Sequence, residues 1–215
     1  MKKLIFAASI TLLLFLSFSC KDTPTEPVDI SDSTYVDVRK PNLYIYPEQT
    51  LSLSVKIDFP NGGKVTESIP TYNNSWDITV TPNGRINNNY DYLFYECDVP
   101  DLTQKEYGWV IKTTELENFF NNNLSLSGFN QKEVSDFIEY WIPLLTNYNY
   151  YEIYPQYKTQ LDEMIDIEFS DIPNNFFRLH YVIIGIDNDK QLPVPQIESA
   201  IREKYYAVEW GVILK

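Results

Sequence analysis

Leu51, Leu53, Val55, Ile57 and Phe59 alternate with Ser52, Ser54, Lys56 and Asp58, which predicts a strand with one face in a core and one in water. Pro60-Asn61-Gly62-Gly63 tolerates positive φ, and the run Lys64–Ile69 follows, so the pattern predicts a hairpin. Trp76, Ile78 and Val80 alternate again and stop at Pro82-Asn83-Gly84. Tyr90–Cys97 lacks Pro and Gly and predicts a strand buried on both faces. Alternation there puts Tyr92, Phe94 and Glu96 on one face and Leu93, Tyr95 and Cys97 on the other. Lys40–Pro47, bracketed by prolines, predicts a short edge or entry strand, and Tyr107–Ile111 predicts another strand. Residues 43–112 together predict an antiparallel meander.

The period changes at Thr113. Thr114 and Glu117 have the spacing of a capping box, and Leu116, Phe119, Phe120 and Leu124 recur at helical spacing up to Gly128. Asn130 then caps a second helix with Glu133 three residues on. Val134, Phe137, Ile138 and Trp141 form its apolar stripe, and Pro143 limits it. Strands return at Tyr148–Tyr154, at Ile165–Phe169, at Phe176–Ile186 (central) and at Tyr206–Leu214, with a short helix predicted within Pro193–Lys204. The expected fold is α+β: a mostly antiparallel sheet with an inserted helical hairpin, about 114–142, packed on it.

The N-terminus changes the picture of where this domain works. Lys2 and Lys3 precede an apolar run Leu4–Leu16 that is short for a membrane span, and Ser17-Phe18-Ser19 leads to Cys20. This resembles a bacterial lipoprotein signal: residues 1–19 are cleaved as a signal peptide and Cys20 carries lipid. An ordinary secretory signal cut nearby, or an uncleaved anchor, is the other reading. Residues 20–38, rich in Asp, Glu, Thr, Ser and Pro, predict an acidic tether, and residues 39–215 a single domain. The expected location is the cell envelope, outside the cytoplasm, with membrane contact through the N-terminal lipid only.

Charge excludes one class of partner. The formal net charge is −13, and loss of residues 1–19 leaves 15 basic residues against 30 acidic ones. Such a surface is repelled by nucleic acid and by anionic head groups. With Cys20 acylated, Cys97 is the last thiol, so no internal disulfide is expected. A thiol mechanism would need His180, the only histidine, as its base; a small buried hydrophobe is the commoner fate of a free cysteine. Asp187-Asn188-Asp189 presents oxygen ligands but lacks the glycine and distal Glu of a calcium loop, which favours an Asx turn. No cofactor or metal motif occurs.

The candidate chemistry rests on acids at the ends of apolar strands. Glu96 and Glu209 are candidate catalytic carboxylates, able to flank a sugar ring as acid and base or nucleophile. Arg178 lies on another apolar strand, so a structural Glu–Arg pair is the competing explanation. Trp109, Trp210 and Tyr92 are candidate binding residues with Arg178, because aromatic rings offer large contact area at low entropy cost. Trp76 shares a face with Ile78 and Val80 and is expected in the core.

Five segments resemble a family of bacterial secreted proteins and lipoproteins that carries no assigned activity. They are Leu43-Tyr44-Ile45-Tyr46-Pro47, Trp76 before its Pro-Asn-Gly turn, Tyr92-Leu93-Phe94-Tyr95-Glu96, Glu133–Pro143 and Val208-Glu209-Trp210-Gly211. Tyr95 stands where that pattern usually has Trp, Cys97 where it has a small residue, and Val212 where it has a second glycine. The resemblance implies a fold unit and a location. The leading expectation is a non-catalytic binding or interaction module with a protein or glycan ligand; a carboxylate-dependent hydrolase acting on envelope or extracellular glycan is the alternative.

Overall fold

The computed structural model describes residues 35–215. The signal peptide read at 1–19, Cys20 and the tether as far as residue 34 lie outside the described residues. The remaining tether positions do not: β1 spans Tyr35–Tyr46 and opens the domain four residues earlier than expected.

The other elements follow in order: β2 (Leu51–Asp58), β3 (Lys64–Ile69), β4 (Trp76–Val80), β5 (Leu93–Pro100), β6 (Trp109–Lys112), α1 (Leu116–Leu126) and α2 (Gln131–Trp141). After these come β7 (Tyr150–Tyr157), α3 (Lys158–Met164), β8 (Asp166–Phe169), β9 (Asn175–Ile186) and β10 (Tyr206–Leu214). Seven strands form one sheet in the order β3-β5-β1-β10-β9-β7-β6, and β4-β2-β8 form a second. Among the described residues only the β10–β9 neighbours run parallel; all other pairs are antiparallel. The domain is therefore α+β, with a mostly antiparallel sheet and a helical hairpin packed on it.

The large sheet has a core on each face. Alternation sends Leu43, Leu93, Tyr95, Cys97, Val182 and Ile213 toward the small sheet and α3. It sends Tyr44, Ile153, Tyr181, Val208, Trp210 and Val212 toward α1 and α2, where Phe120, Phe137 and Trp141 meet them. Three layers result, and every strand at the centre of the large sheet is covered twice. That is why β9 and β10 read as nearly continuous apolar runs.

The helical hairpin is set by local chemistry. α2 begins with the expected capping box: the Asn130 side chain accepts from the Glu133 amide at 3.0 Å, and the Glu133 carboxylate accepts from the Asn130 amide at 2.7 Å. α1 ends at Gly128 (φ +86°), where the Gly128 amide bonds the Ser125 carbonyl and the Phe129 amide bonds that of Leu124. This is a Schellman stop, and it demands a left-handed residue at that place.

Four expectations fail for physical reasons. The Asn61-Gly62 turn does not join paired strands, because β2 pairs with β4 and β8 while β3 pairs with β5. Gly63 carries the chain from one sheet to the other at φ +147°, and a Cβ there would lie 2.7 Å from the Asp98 carbonyl. β1 is the entry strand of the domain but not an edge, since it lies between β5 and β10: its register shifts between Arg39 and Asn42, so Lys40-Pro41 form a bulge and Pro41 takes no ladder bond from either neighbour. The Thr114–Glu117 box is absent. A 3₁₀ turn over Thr113–Glu115 precedes α1 instead, and the Thr113 hydroxyl donates to the Tyr148 carbonyl. Pro193–Lys204 forms no helix, since Pro193 and Pro195 withhold amides. The segment is tied ahead of β6 by Gly108 N–H to Pro193 O and at the end of α1 by Ala200 N–H to Ser127 O.

Candidate functional site

β9 and β10 run in register with Arg178 beside Glu209. Both side chains are fully buried on the face that meets the small sheet, and Arg178 Nε donates to Glu209 Oε2 at 2.7 Å. His180, two residues along β9, lies on the same face with its Nε2 at 3.1 Å from the same oxygen. Tyr95 OH donates to Glu209 Oε1 at 2.7 Å. The rest of the guanidinium is held by Asp162 Oδ1 at 3.0 Å and by the Ile165 carbonyl at the end of α3. The acid and the base on these strands are thus each other's counter-ion, and the cluster ties β5, β9, β10 and α3 together.

Electrostatics follows from this packing. Burial alone would raise the Glu209 carboxyl, but the Arg178 charge and the His180 and Arg178 hydrogen bonds outweigh it and hold the group at about 2. Burial lowers His180 despite Glu209, so the ring is neutral and donates from Nε2; its Nδ1 has no hydrogen-bond partner among the described residues. Burial also raises the Cys97 thiol well above its ordinary range, with Glu209 adding to the effect. A buried, protonated thiol is no nucleophile at neutral pH, in keeping with the reading of Cys97 as a small buried hydrophobe.

Glu96 does not join this cluster. It neighbours Tyr95 along β5, so its side chain leaves the opposite face of the sheet, partly exposed, where Oε1 accepts the Lys40 amide at 3.3 Å. Glu96 and Glu209 therefore cannot flank one substrate, and the expected catalytic pair is corrected on geometry. The structural Glu–Arg pair exists, with Glu209 as its acid. Arg178 and Trp210 are corrected as binding residues, since both are fully buried. The Trp210 indole donates to the Glu133 carbonyl at 3.0 Å, anchoring α2 to the sheet. Trp76 is core, as expected, with its indole bonded to the Pro70 carbonyl.

Glu133 is a site the sequence understates. It is a capping residue by spacing, yet it is fully buried and receives a fork from Arg202 at 2.8 and 3.0 Å and the Tyr46 hydroxyl at 2.7 Å. The Arg202 guanidinium also lies over the Tyr46 and Tyr206 rings. This fastens the β9–β10 connection to the hairpin and is a packing device.

Trp109 and Tyr92 remain in reach of a ligand. Trp109 starts the edge strand β6, half-buried, with its ring edge-on to Phe119 of α1 at 5.3 Å. Glu115, Asn118, Asn122 and Leu126 recur along one face of α1 at helical spacing and, with Ile197, complete a cleft of about 520 Å³ over the indole. Asn123 is not free for a ligand, because its Oδ1 takes the Tyr181 hydroxyl at 2.6 Å. Asn118 and Asn122 are exposed, and their amides meet at 3.5 Å. The run Asn121-Asn122-Asn123 in a helix is the sequence signal that points here, since Asn is a poor helix former without another use. A larger groove of about 750 Å³ opens between β2 and β3, but the Tyr72 hydroxyl on its wall is bonded to Ile57 N–H at 2.8 Å. Tyr92, half-buried, directly precedes β5, which four strands of the large sheet separate from β6, and its ring centre lies 5.3 Å from that of Tyr44. Among the described residues no group of acids, histidines or cysteines is arranged to hold a metal ion. No protein-family description, curated protein or solved structure matches the chain.

Proposed function

We propose that this chain is an extracytoplasmic lipoprotein that works as a non-catalytic binding module, with the Trp109 cleft as its site and a neutral glycan as its ligand. The observation that carries the reading is the pairing of a half-exposed indole with Asn118 and Asn122 in one cleft of about 520 Å³. An apolar ring face stacks on the C–H face of a sugar, and planar amides bond its hydroxyls from the side. A cleft of this size lies within the range of small-ligand sites, about 300–1,000 Å³. Uncharged amides suit an uncharged ligand, and the acidic surface disfavours an anionic one. The separation of Glu96 and Glu209 onto opposite faces supports binding over hydrolysis, since a carboxylate pair must face one cleft roughly 5–10 Å apart. The basic, apolar and small-residue order ahead of Cys20 supports a lipid-held position at the envelope.

The test is calorimetric titration of the chain from residue 21 with N-acetylglucosamine and glucose oligomers, alongside Trp109→Ala and Asn118→Ala. Saturable binding that Trp109→Ala abolishes, with unchanged melting temperature and no product formed, supports the reading. Binding that persists in Trp109→Ala, or release of shortened oligomers, contradicts it.

A further inference from the structure

Lys40 is the unusual cation of this fold. It sits in the β1 bulge at φ +53°, a left-handed conformation that costs a β-carbon-bearing residue energy. Its ammonium does not lie against a carboxylate; among the described residues none comes within the 4.0 Å that would make an ion pair. Instead Nζ lies 4.3 Å from the centre of the Phe94 ring and 5.3 Å from those of Tyr92 and Tyr140. All three are inside the distance at which a cation feels a ring's quadrupole, about 6 Å. Phe94 is buried, Tyr92 half-buried and Tyr140 exposed at the rim, so the rings form a box with a floor and an open side.

The surroundings suit a cation as well. Glu96 and Glu67 face each other across β5 and β3, an arrangement that repels unless a positive charge lies near. Burial depresses the Lys40 ammonium, while Glu96, Asp136 and Glu67 act in the opposite direction. A recess of about 230 Å³ adjoins the box, walled by Ile69, Tyr90 and Asp91 as well as by Lys40 itself. A primary ammonium is a strongly hydrated point charge and a poor occupant for a half-desolvated aromatic box. A methylated ammonium has less hydration to lose and fills the box with apolar surface.

We infer that Tyr92, Phe94 and Tyr140 form a binding site for a quaternary alkylammonium group of the choline type, which Lys40 occupies in the ligand-free chain and leaves when the ligand enters. The box, with Phe94 on β5, lies across the large sheet from Trp109 on β6, with β1, β10, β9 and β7 between them, and does not depend on the glycan reading. A trimethylammonium head at the place of the Lys40 ammonium leaves the remainder of the ligand for the adjoining recess of about 230 Å³. Free choline and the head group of phosphatidylcholine carry the same chemistry.

The test uses the chain from residue 21, followed by proton NMR of its aromatic rings during titration with choline chloride, with sodium chloride at equal ionic strength as control. Lys40→Gly empties the box and suits the left-handed backbone. Choline should bind Lys40→Gly at least tenfold more tightly than the unaltered chain, and adding Phe94→Leu should return the affinity to the unaltered level or below. Trp109→Ala should leave choline binding unchanged. Vesicles of phosphatidylcholine decide the source: co-sedimentation that free choline competes away marks a lipid head group, and its absence marks the free cation. Equal binding by Lys40→Gly and the unaltered chain, or insensitivity to Phe94→Leu, overturns the inference. If Lys40→Gly fails to fold, the unaltered chain still decides: ring shifts that choline saturates and sodium chloride does not support the site, and identical responses to both salts refute it.

Discussion

Glu209 Oε2 and Arg178 Nε meet at 2.7 Å between two parallel strands, with neither side chain exposed to solvent. Every remaining polar contact in the cluster serves that pair: Tyr95 and His180 occupy the carboxylate, and Asp162 and the Ile165 carbonyl occupy the guanidinium. A buried ion pair gains its geometry at the cost of desolvation, and its chief effect is to make either partner indispensable.

Removing one partner strands the other. Glu209→Gln and Arg178→Met should each lower stability by about 3–5 kcal/mol, because each leaves an uncompensated buried charge. The double variant should fall short of the sum of the singles by about 1–3 kcal/mol. Urea denaturation of the three variants checks this. Additive losses would mean that the two charges do not depend on each other.

Stability should decline toward acid in two stages. His180 is held neutral below its ordinary value of 6.5, so the unfolded chain binds a proton that the folded chain refuses, and stability falls as pH drops below 6.5. Glu209 is held at about 2 against an ordinary 4.5, so its contribution is complete above 4.5 and is lost as pH falls toward 2. Denaturant unfolding at intervals from pH 7.5 to 2.5 should show both stages in the unaltered chain, and His180→Gln should remove the upper one alone. A rise in stability on acidification over either range would reverse the assigned signs.

Gly211 is the seat of the His180 ring. A β-carbon there would lie 2.9 Å from both Cε1 and Nε2, closer than packed atoms tolerate, and the ring is pinned by Glu209. Gly211→Ala should therefore cost about 1–3 kcal/mol. In a His180→Ala background the same substitution should cost little. Thermal melts of the two single variants and the double variant measure this. An equal penalty in both backgrounds would place the strain in the backbone rather than against the imidazole.

Much of the fold was legible because alternation and helical spacing report burial directly. The stripe Val134, Phe137, Trp141 and the Asn130–Glu133 box are cases where local chemistry and tertiary packing agree. Partner choice was not legible. The Asn-Gly turn after β2 reads as a hairpin from its φ requirements alone, but the sheet joined by each strand depends on contacts far along the chain. α3 went unseen, since its seven residues show no full apolar period. Of the candidate site residues, Arg178 and Glu209 announced a compensated charge, and register then made them partners instead of a cleft. Glu96 misled because one step along a strand reverses the face, a fact that places it away from Glu209 however close the two look by composition. Trp109 is legible as a strand aromatic, but its amide neighbours are not, since only the folding of α1 brings Asn118 and Asn122 to it.

The indole region of an amide-correlated NMR spectrum tests the binding account most directly. The chain has four tryptophans, and Trp76, Trp141 and Trp210 are buried, leaving Trp109 as the indole beside the cleft. On titration with a neutral N-acetylglucosamine or glucose oligomer, the account predicts that the Trp109 indole signal moves saturably while the other three stay in place, and that Trp109→Ala shows no saturable shift anywhere. A titration with all four signals stationary across these oligomers, or with movement confined to the buried indoles, would contradict it.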